Sequence, residues 1–154
     1  MKLKNKLFMD KNKGFTLIEL LVVVSIIGIL MGLSLFSFQN SKKSGRDAKR
    51  KSDLELIRSG IEIYRADCGE YPTSDLLGTT TLIGNDSTDS CLIDNEYINN
   101  VPTDPQDPTR TYRYFSDGIT YEICTSLENV TGTSVTCGGS SNCGETCNYK
   151  VENP

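Results

Sequence analysis

Hydrophobic and polar positions divide the chain into three stretches. The first is a run of 24 residues, Phe15 to Phe38, whose only charged member is Glu19. Wound as a helix it reaches about 36 Å, enough to cross a hydrocarbon core of about 30 Å. The second stretch, Asn40 to Arg65, is proline-free, and Leu54, Ile57, Ile61 and Tyr64 recur at spacings of 3, 4 and 3. That is one stripe of an amphipathic helix, and it predicts a face laid on a sheet. Leu56 and Ile63 fall on a second flank, either ordinary exposed apolar surface or a contact for another subunit. Asp67-Cys68-Gly69 predicts the helix end, with glycine as the cap.

The third stretch changes period. Residues 74–107 are rich in Ser, Thr, Asp, Asn and Gly, with Tyr97-Ile98 as the one clear apolar anchor and Pro102, Pro105 and Pro108 as punctuation. Thr111–Ser116 and Ile119–Ser126 alternate around Asp117-Gly118, the pattern of a hairpin. Thr146–Val151 reads as a last strand beyond a Gly/Ser-rich segment. One long helix followed by a small antiparallel sheet predicts an α+β fold with the helix on the sheet.

The head is smaller than the 154-residue chain, and a core of that size usually needs staples. Six cysteines, Cys68, Cys91, Cys124, Cys137, Cys143 and Cys147, all follow the apolar run. An even count on one side of a membrane segment predicts disulfides made in an oxidising compartment. A zinc site is the weaker reading, because histidine is absent and the two-by-two ligand spacing is missing. Six cysteines allow fifteen connectivities. The predicted helix end and the loop after it favour Cys68–Cys91. Pairing of the last two strands would join Cys124 to Cys147 and leave Cys137 for Cys143. The rival joins near neighbours, Cys124–Cys137 and Cys143–Cys147.

Charge is zoned. Residues 1–14 carry +4, residues 40–66 carry +4, and residues 67–154 carry −11, within a net charge of −4. The acidic head argues against a nucleic-acid partner, since phosphates would be repelled. The basic start places the N-terminus in the cytoplasm and the head outside it. Lys42, Lys43, Arg46, Lys49, Arg50 and Lys51 form a basic collar after the apolar run, expected to meet lipid head groups and then the acidic surface of a packed neighbour.

Glu19 is the residue that a plain anchor or a signal peptide does not explain. A carboxylate inside lipid costs several kcal/mol unless it is paired, so it marks a functional site. The run is also longer than a secretory h-region, and no small-residue cleavage site closes it.

Gly14-Phe15-Thr16-Leu17-Ile18-Glu19-Leu20 and the apolar run after it resemble the class III prepilin leader and N-terminal helix of type IV pilins and type II secretion pseudopilins. A second resemblance, to the body of major pseudopilins, is carried by Tyr64–Thr73, Tyr97-Ile98, Val101–Pro105 and Tyr112-Arg113-Tyr114. The resemblance implies a pilin-like fold. It divides the chain into a leader (1–14), a membrane and assembly helix (15–39) and a head that includes the helix to about residue 67. It implies cleavage between Gly14 and Phe15 by a membrane-embedded aspartyl prepilin peptidase, which methylates the new amine of Phe15. It also implies a membrane assembly platform protein, a cytoplasmic ATPase and other pilin subunits as partners.

In that setting Glu19 pairs with the Phe15 amine of a neighbour and sets register, because a misplaced subunit leaves two unpaired buried charges. Thr16 belongs to the same assembly set. Gly28 and Gly32 form a G-x-x-x-G pair that permits close helix approach. The family's proline in the apolar run is absent here, so any kink falls to Gly32, Ser34 or Ser37. The acidic calcium loop seen at the end of many major pseudopilins gives way to a cysteine-bearing tail; calcium through oxygen ligands near Asp117 is a minor expectation, and no cofactor is otherwise expected.

No nucleophile elbow, P-loop or carboxylate pair points to catalysis. The leading expectation is a structural filament subunit, most simply a major one. The alternatives are a membrane-tethered binding module or adhesin that never polymerises, and a secreted enzyme cut after about residue 37.

Overall fold

The computed structural model describes residues 14–73, 76–78, 80–84, 91 and 94–153. The expected leader, apart from Gly14, lies outside them. The chain divides into two units, Met1–Asn40 and Ser41–Pro154, and one helix, α1 (Leu17–Cys68), contributes to both.

In the first unit Phe15, 90% exposed, precedes α1, and the helix then presents apolar side chains to solvent from Leu17 through Leu20, Val23, Ile27 and Leu30 to Phe38. None of the most apolar window is covered. A helix apolar on every face has no solvated side and needs lipid or other helices around it. Two of its hydroxyls are satisfied within the helix: Ser25 Oγ donates to the Leu21 carbonyl at 2.7 Å and Ser34 Oγ to the Leu30 carbonyl at 2.9 Å. Gly32, Ser34 and Ser37 all keep helical backbone.

In the second unit Leu54, Ile57, Ile61 and Tyr64 are fully buried, so the 3-4-3 stripe is the covered face. Leu56 and Ile63 remain about half exposed, at 48% and 56%. The helix ends at Cys68, where the Gly69 N–H closes on the Arg65 carbonyl at 2.8 Å and Gly69 adopts φ +86°. Glycine takes that left-handed cap without a Cβ penalty.

The loop after the helix contributes more to the core than its composition predicts. Besides Ile98, it buries Leu76, Leu82, Cys91 and Val101. These residues are isolated among polar neighbours and have no period to reveal them. Strands β1 (Leu82–Ile83) and β2 (Glu96–Ile98) pair antiparallel, with Leu82 opposite Ile98. Ile98 reaches α1 at Gly60, where a Cβ would overlap its side chain.

The main sheet has the order β3 (Arg113–Ser116), β4 (Tyr121–Thr125), and a last strand over Tyr149–Glu152, all antiparallel. The last strand is shorter than the expected Thr146–Val151 and begins later. Between it and β4 lies a tight hairpin, β5 (Asn142–Cys143) with β6 (Glu145–Thr146), which makes the last strand β7. Alternation sorts the sheet's two faces. Tyr114, Tyr121, Ile123 and Val151 join the helix stripe in one buried cluster. Arg113, Phe115, Glu122 and Cys124 point the other way, and residues 135–147 pack there. Cover on both faces explains why β4 is buried almost throughout.

The disulfides are Cys68–Cys91, Cys124–Cys137 and Cys143–Cys147. This corrects the strand-based expectation of Cys124–Cys147 and Cys137–Cys143; the near-neighbour pairing is the one formed. Register is the reason. Cys124 faces Lys150 and Thr125 faces Tyr149, so Cys147, before β7 begins, falls away from Cys124. The β5–β6 hairpin instead brings Cys143 and Cys147 to a Cα separation of 5.2 Å, within the usual disulfide range.

Candidate functional site

The start of α1 gathers four of the sequence-predicted residues, Gly14, Phe15, Thr16 and Glu19. Thr16 sits just before the helix, and its hydroxyl accepts from the Glu19 N–H at 3.3 Å. Glu19 reaches back, its Oε2 accepting from both the Thr16 N–H and the Thr16 hydroxyl at 2.8 Å. This reciprocal arrangement is a capping box. It satisfies exposed helix donors and holds the carboxylate at the positive end of the helix dipole. The Thr-x-x-Glu spacing is the signal for it in the sequence, and it gives Thr16 a capping role that the expected assembly role does not include. Gly28 and Gly32 lie further along the helix and take no part in the box. A Cβ at either would meet nothing within 4 Å, so the close-approach surface is open.

A second polar constellation sits in the head and went unforeseen. Arg50, 0% exposed, uses every N–H of its guanidinium. Its Nε donates to Asp104 at 2.7 Å, and Nη2 to Asp104 at 3.0 Å and to Gln106 at 2.9 Å. Its Nη1 donates to Asp47 and Glu128, each at 2.9 Å. Arg46 grips Glu128 with two further bonds of 2.6 Å. Asp47 in turn accepts the backbone N–H groups of Glu128 and Asn129 at 2.8 and 2.9 Å. Three chain segments, 46–50, 104–106 and 128–129, thus close on one buried cation.

The charges stay ionised because the hydrogen bonds outweigh burial. The bond from Arg46 and the second from Arg50 hold the Glu128 carboxyl at about 2 against the burial that opposes them. Burial pushes the Asp47 carboxyl up, but the backbone N–H groups of Glu128 and Asn129 and the Arg50 guanidinium bring it below the ordinary value. Burial likewise works against the Arg50 cation, and Asp104 and Glu128 more than reverse it.

This geometry corrects the basic collar. Arg46 and Arg50 serve the fold, Lys49 pairs with Asp53 at 3.2 Å, and Lys51 lies over the Tyr149 ring at 5.4 Å. Arg50 is therefore not available to lipid head groups or to a neighbour's acidic surface, and Arg46 is largely spent on Glu128. All six cysteines are in disulfides, and among the described residues no group of side chains is placed to hold a metal ion.

The family model for the prokaryotic N-terminal methylation motif matches residues 9–35, and the model for type II secretion system (T2SS), protein G, matches residues 37–138. The chain belongs to the type II secretion system protein G family. It is similar to the "Type II secretion system core protein G" of Vibrio cholerae, 31% identical over 112 residues, which cover 71% of this chain and 75% of that relative. The Klebsiella pneumoniae protein of the same name is 30% identical over 100 residues, 63% of this chain and 71% of the relative. The Escherichia coli K12 protein is 35% identical over 65 residues, which span 45% of its length. No solved structure gives a significant match. The methylation motif covers the capping box and most of the apolar run. The protein G match covers the Arg50 network and ends inside the tail, at Gly138.

Proposed function

We infer that this chain is a structural subunit of a pseudopilus-type filament, made as a membrane-anchored precursor. The observation that carries this reading is the apolar run from Phe15 to Phe38, helical from Leu17 and exposed at its described side chains, with one carboxylate held at the helix start. Such a helix suits lipid first and a bundle of its own copies later. Family membership supports the same conclusion.

Processing follows from the same residues. Cleavage between Gly14 and Phe15 by the prepilin peptidase removes the lysine-rich leader and frees an amine one residue before Thr16. That amine, methylated, then meets the Glu19 carboxylate of a neighbouring subunit in a low-dielectric core, where each lowers the desolvation cost of the other. The N-terminus lies in the cytoplasm and the disulfide-bearing head on the far side of the membrane. An assembly platform protein and its ATPase extract the subunit.

The test is to isolate the mature protein from its own cells. A chain beginning at methylated Phe15 that sediments as filaments is expected, with Gly14→Val leaving the precursor uncut. A chain that keeps residues 1–14, or stays monomeric after cleavage, overturns the reading.

A further inference from the structure

The head contains two buried clusters of different chemistry. The first joins Leu54, Ile57, Ile61, Tyr64, Tyr114, Tyr121, Ile123 and their neighbours between helix and sheet. The second, on the opposite face of the sheet, consists of Cys124, Cys137, Cys143 and Cys147, with Val135 packed against them. Residues 128–148 have no aliphatic core of their own; sulfur takes its place.

This segment is tied down at both ends. The Cys124–Cys137 bond fixes it to β4. The Gly138 N–H donates to Glu122 at 2.8 Å, Arg113 Nε to the Cys137 carbonyl at 2.9 Å, and the Thr111 N–H to the Cys143 carbonyl at 2.8 Å. Gly144, at φ +80°, sits so close to Thr109 and Arg110 that a Cβ would overlap their backbone. At the other end Glu128 and Asn129 plug into Asp47, Arg46 and Arg50.

We propose that residues 128–148 are a redox-gated strap, which covers the outer face of the sheet and delivers Glu128 to the arginine pair only while its two disulfides are intact. The two clusters behave this way whether or not the chain assembles into filaments. The helix–sheet cluster holds one disulfide of its own, Cys68–Cys91 at the helix end, but its aliphatic and aromatic contacts do not depend on the four sulfurs of the strap. The strap itself does, because thiols restore the freedom of the loops that the disulfides close.

Opening is thiol–disulfide exchange with a dithiol reductant. For each bond, one reductant thiolate attacks a cysteine sulfur and forms a mixed disulfide. The second reductant thiol resolves it, leaving two cysteine thiols and an oxidised reductant: two electrons and two protons passed to the protein. Closing runs in reverse, with a disulfide of an oxidoreductase or small molecule accepting two electrons as two protons leave. All four sulfurs belong to fully buried residues, so exchange proceeds through local opening of the strap and the closed form resists casual reduction.

The consequence is an order of events: the helix–sheet core forms first, and the site around Arg50 is completed only after oxidation.

The test is amide hydrogen exchange of the full chain in detergent micelles, with and without dithiothreitol, thiol alkylation reporting the extent of reduction. On reduction the amides of Thr111, Glu128, Asn129, Cys137 and Cys147 are expected to exchange at least about tenfold faster. Those of Ile57 to Tyr64 and Ile123 should stay within about twofold. A strap that keeps its protection with all thiols free overturns the proposal, and so does simultaneous loss of the helix–sheet amides. The variant C124S/C137S should show the same selective loss without reductant; should it fail to accumulate, the reductant arm on the natural chain decides alone.

Discussion

The two halves of α1 handle charge by opposite means. In the apolar half the one carboxylate, Glu19, takes its hydrogen bonds, among the described residues, from Thr16, three residues away. In the head half Arg50 is met by Asp104 and Glu128, 54 and 78 residues away, as well as by Asp47. A charge with only local partners stands at a surface that is still open to others. A charge whose every hydrogen is spent on distant segments belongs to a finished fold. The first half is built to be completed by something outside the molecule, and the second is complete within it.

The sharpest way to break that contrast is Arg50→Met. It leaves Asp47, Asp104 and Glu128 buried without their shared cation, and removal of one member of a buried charge set costs about 3–5 kcal/mol. Urea unfolding of the chain in micelles should show a loss of that size. A loss below about 1 kcal/mol would mean the network is loose.

Acid should attack the same half. Glu128 has a folded value of about 2, below its ordinary 4.5, and Asp47 is lowered as well. Their contribution is therefore fully present above about pH 5 and is lost as the pH falls toward 2. The urea midpoint should drop over that window, and E128Q should flatten the drop while lowering the plateau.

In the apolar half, Glu19→Ala should leave membrane insertion intact or improved, since a central acidic residue costs about 2.5–3.5 kcal/mol on insertion scales. Filament yield should fall by about tenfold or more, the equivalent of 1.4 kcal/mol per subunit. Normal yield would show that the carboxylate serves the isolated helix alone. Thr16→Val separates the capping role from the assembly role. Loss of a cap costs about 1 kcal/mol, so amides of the first helical turn should exchange about fivefold faster in micelles. The smallest effect is expected at Leu56 and Ile63. Replacing both with Ser should change stability by less than about 0.5 kcal/mol per site, because half-exposed side chains carry little of the core.

Much of the first half was legible because its determinants are local. Length and apolarity mark the span, and a lone carboxylate stands out within it; the Thr16–Glu19 capping box lies within four residues of chain and was just as local, though it was missed. The helix stripe and the β3–β4 hairpin were legible for the same reason, since each shows its own period. The loop residues Leu76, Leu82 and Val101 were not, because isolated apolar positions carry no period.

The sequence by itself determined that there is an apolar helix behind an N-terminal methylation motif, a half-buried second helical stretch and an even set of cysteines in an acidic head. Only tertiary structure decided which cysteines meet, because the β4–β7 register sets Lys150 opposite Cys124 and leaves Cys147 before the strand. Only tertiary structure turned part of the collar inward, because a guanidinium is polar on paper wherever it stands. Whether Arg50 is solvated or fully buried depends on carboxylates that the chain supplies 54 and 78 residues later, and no local pattern encodes a partner at that distance.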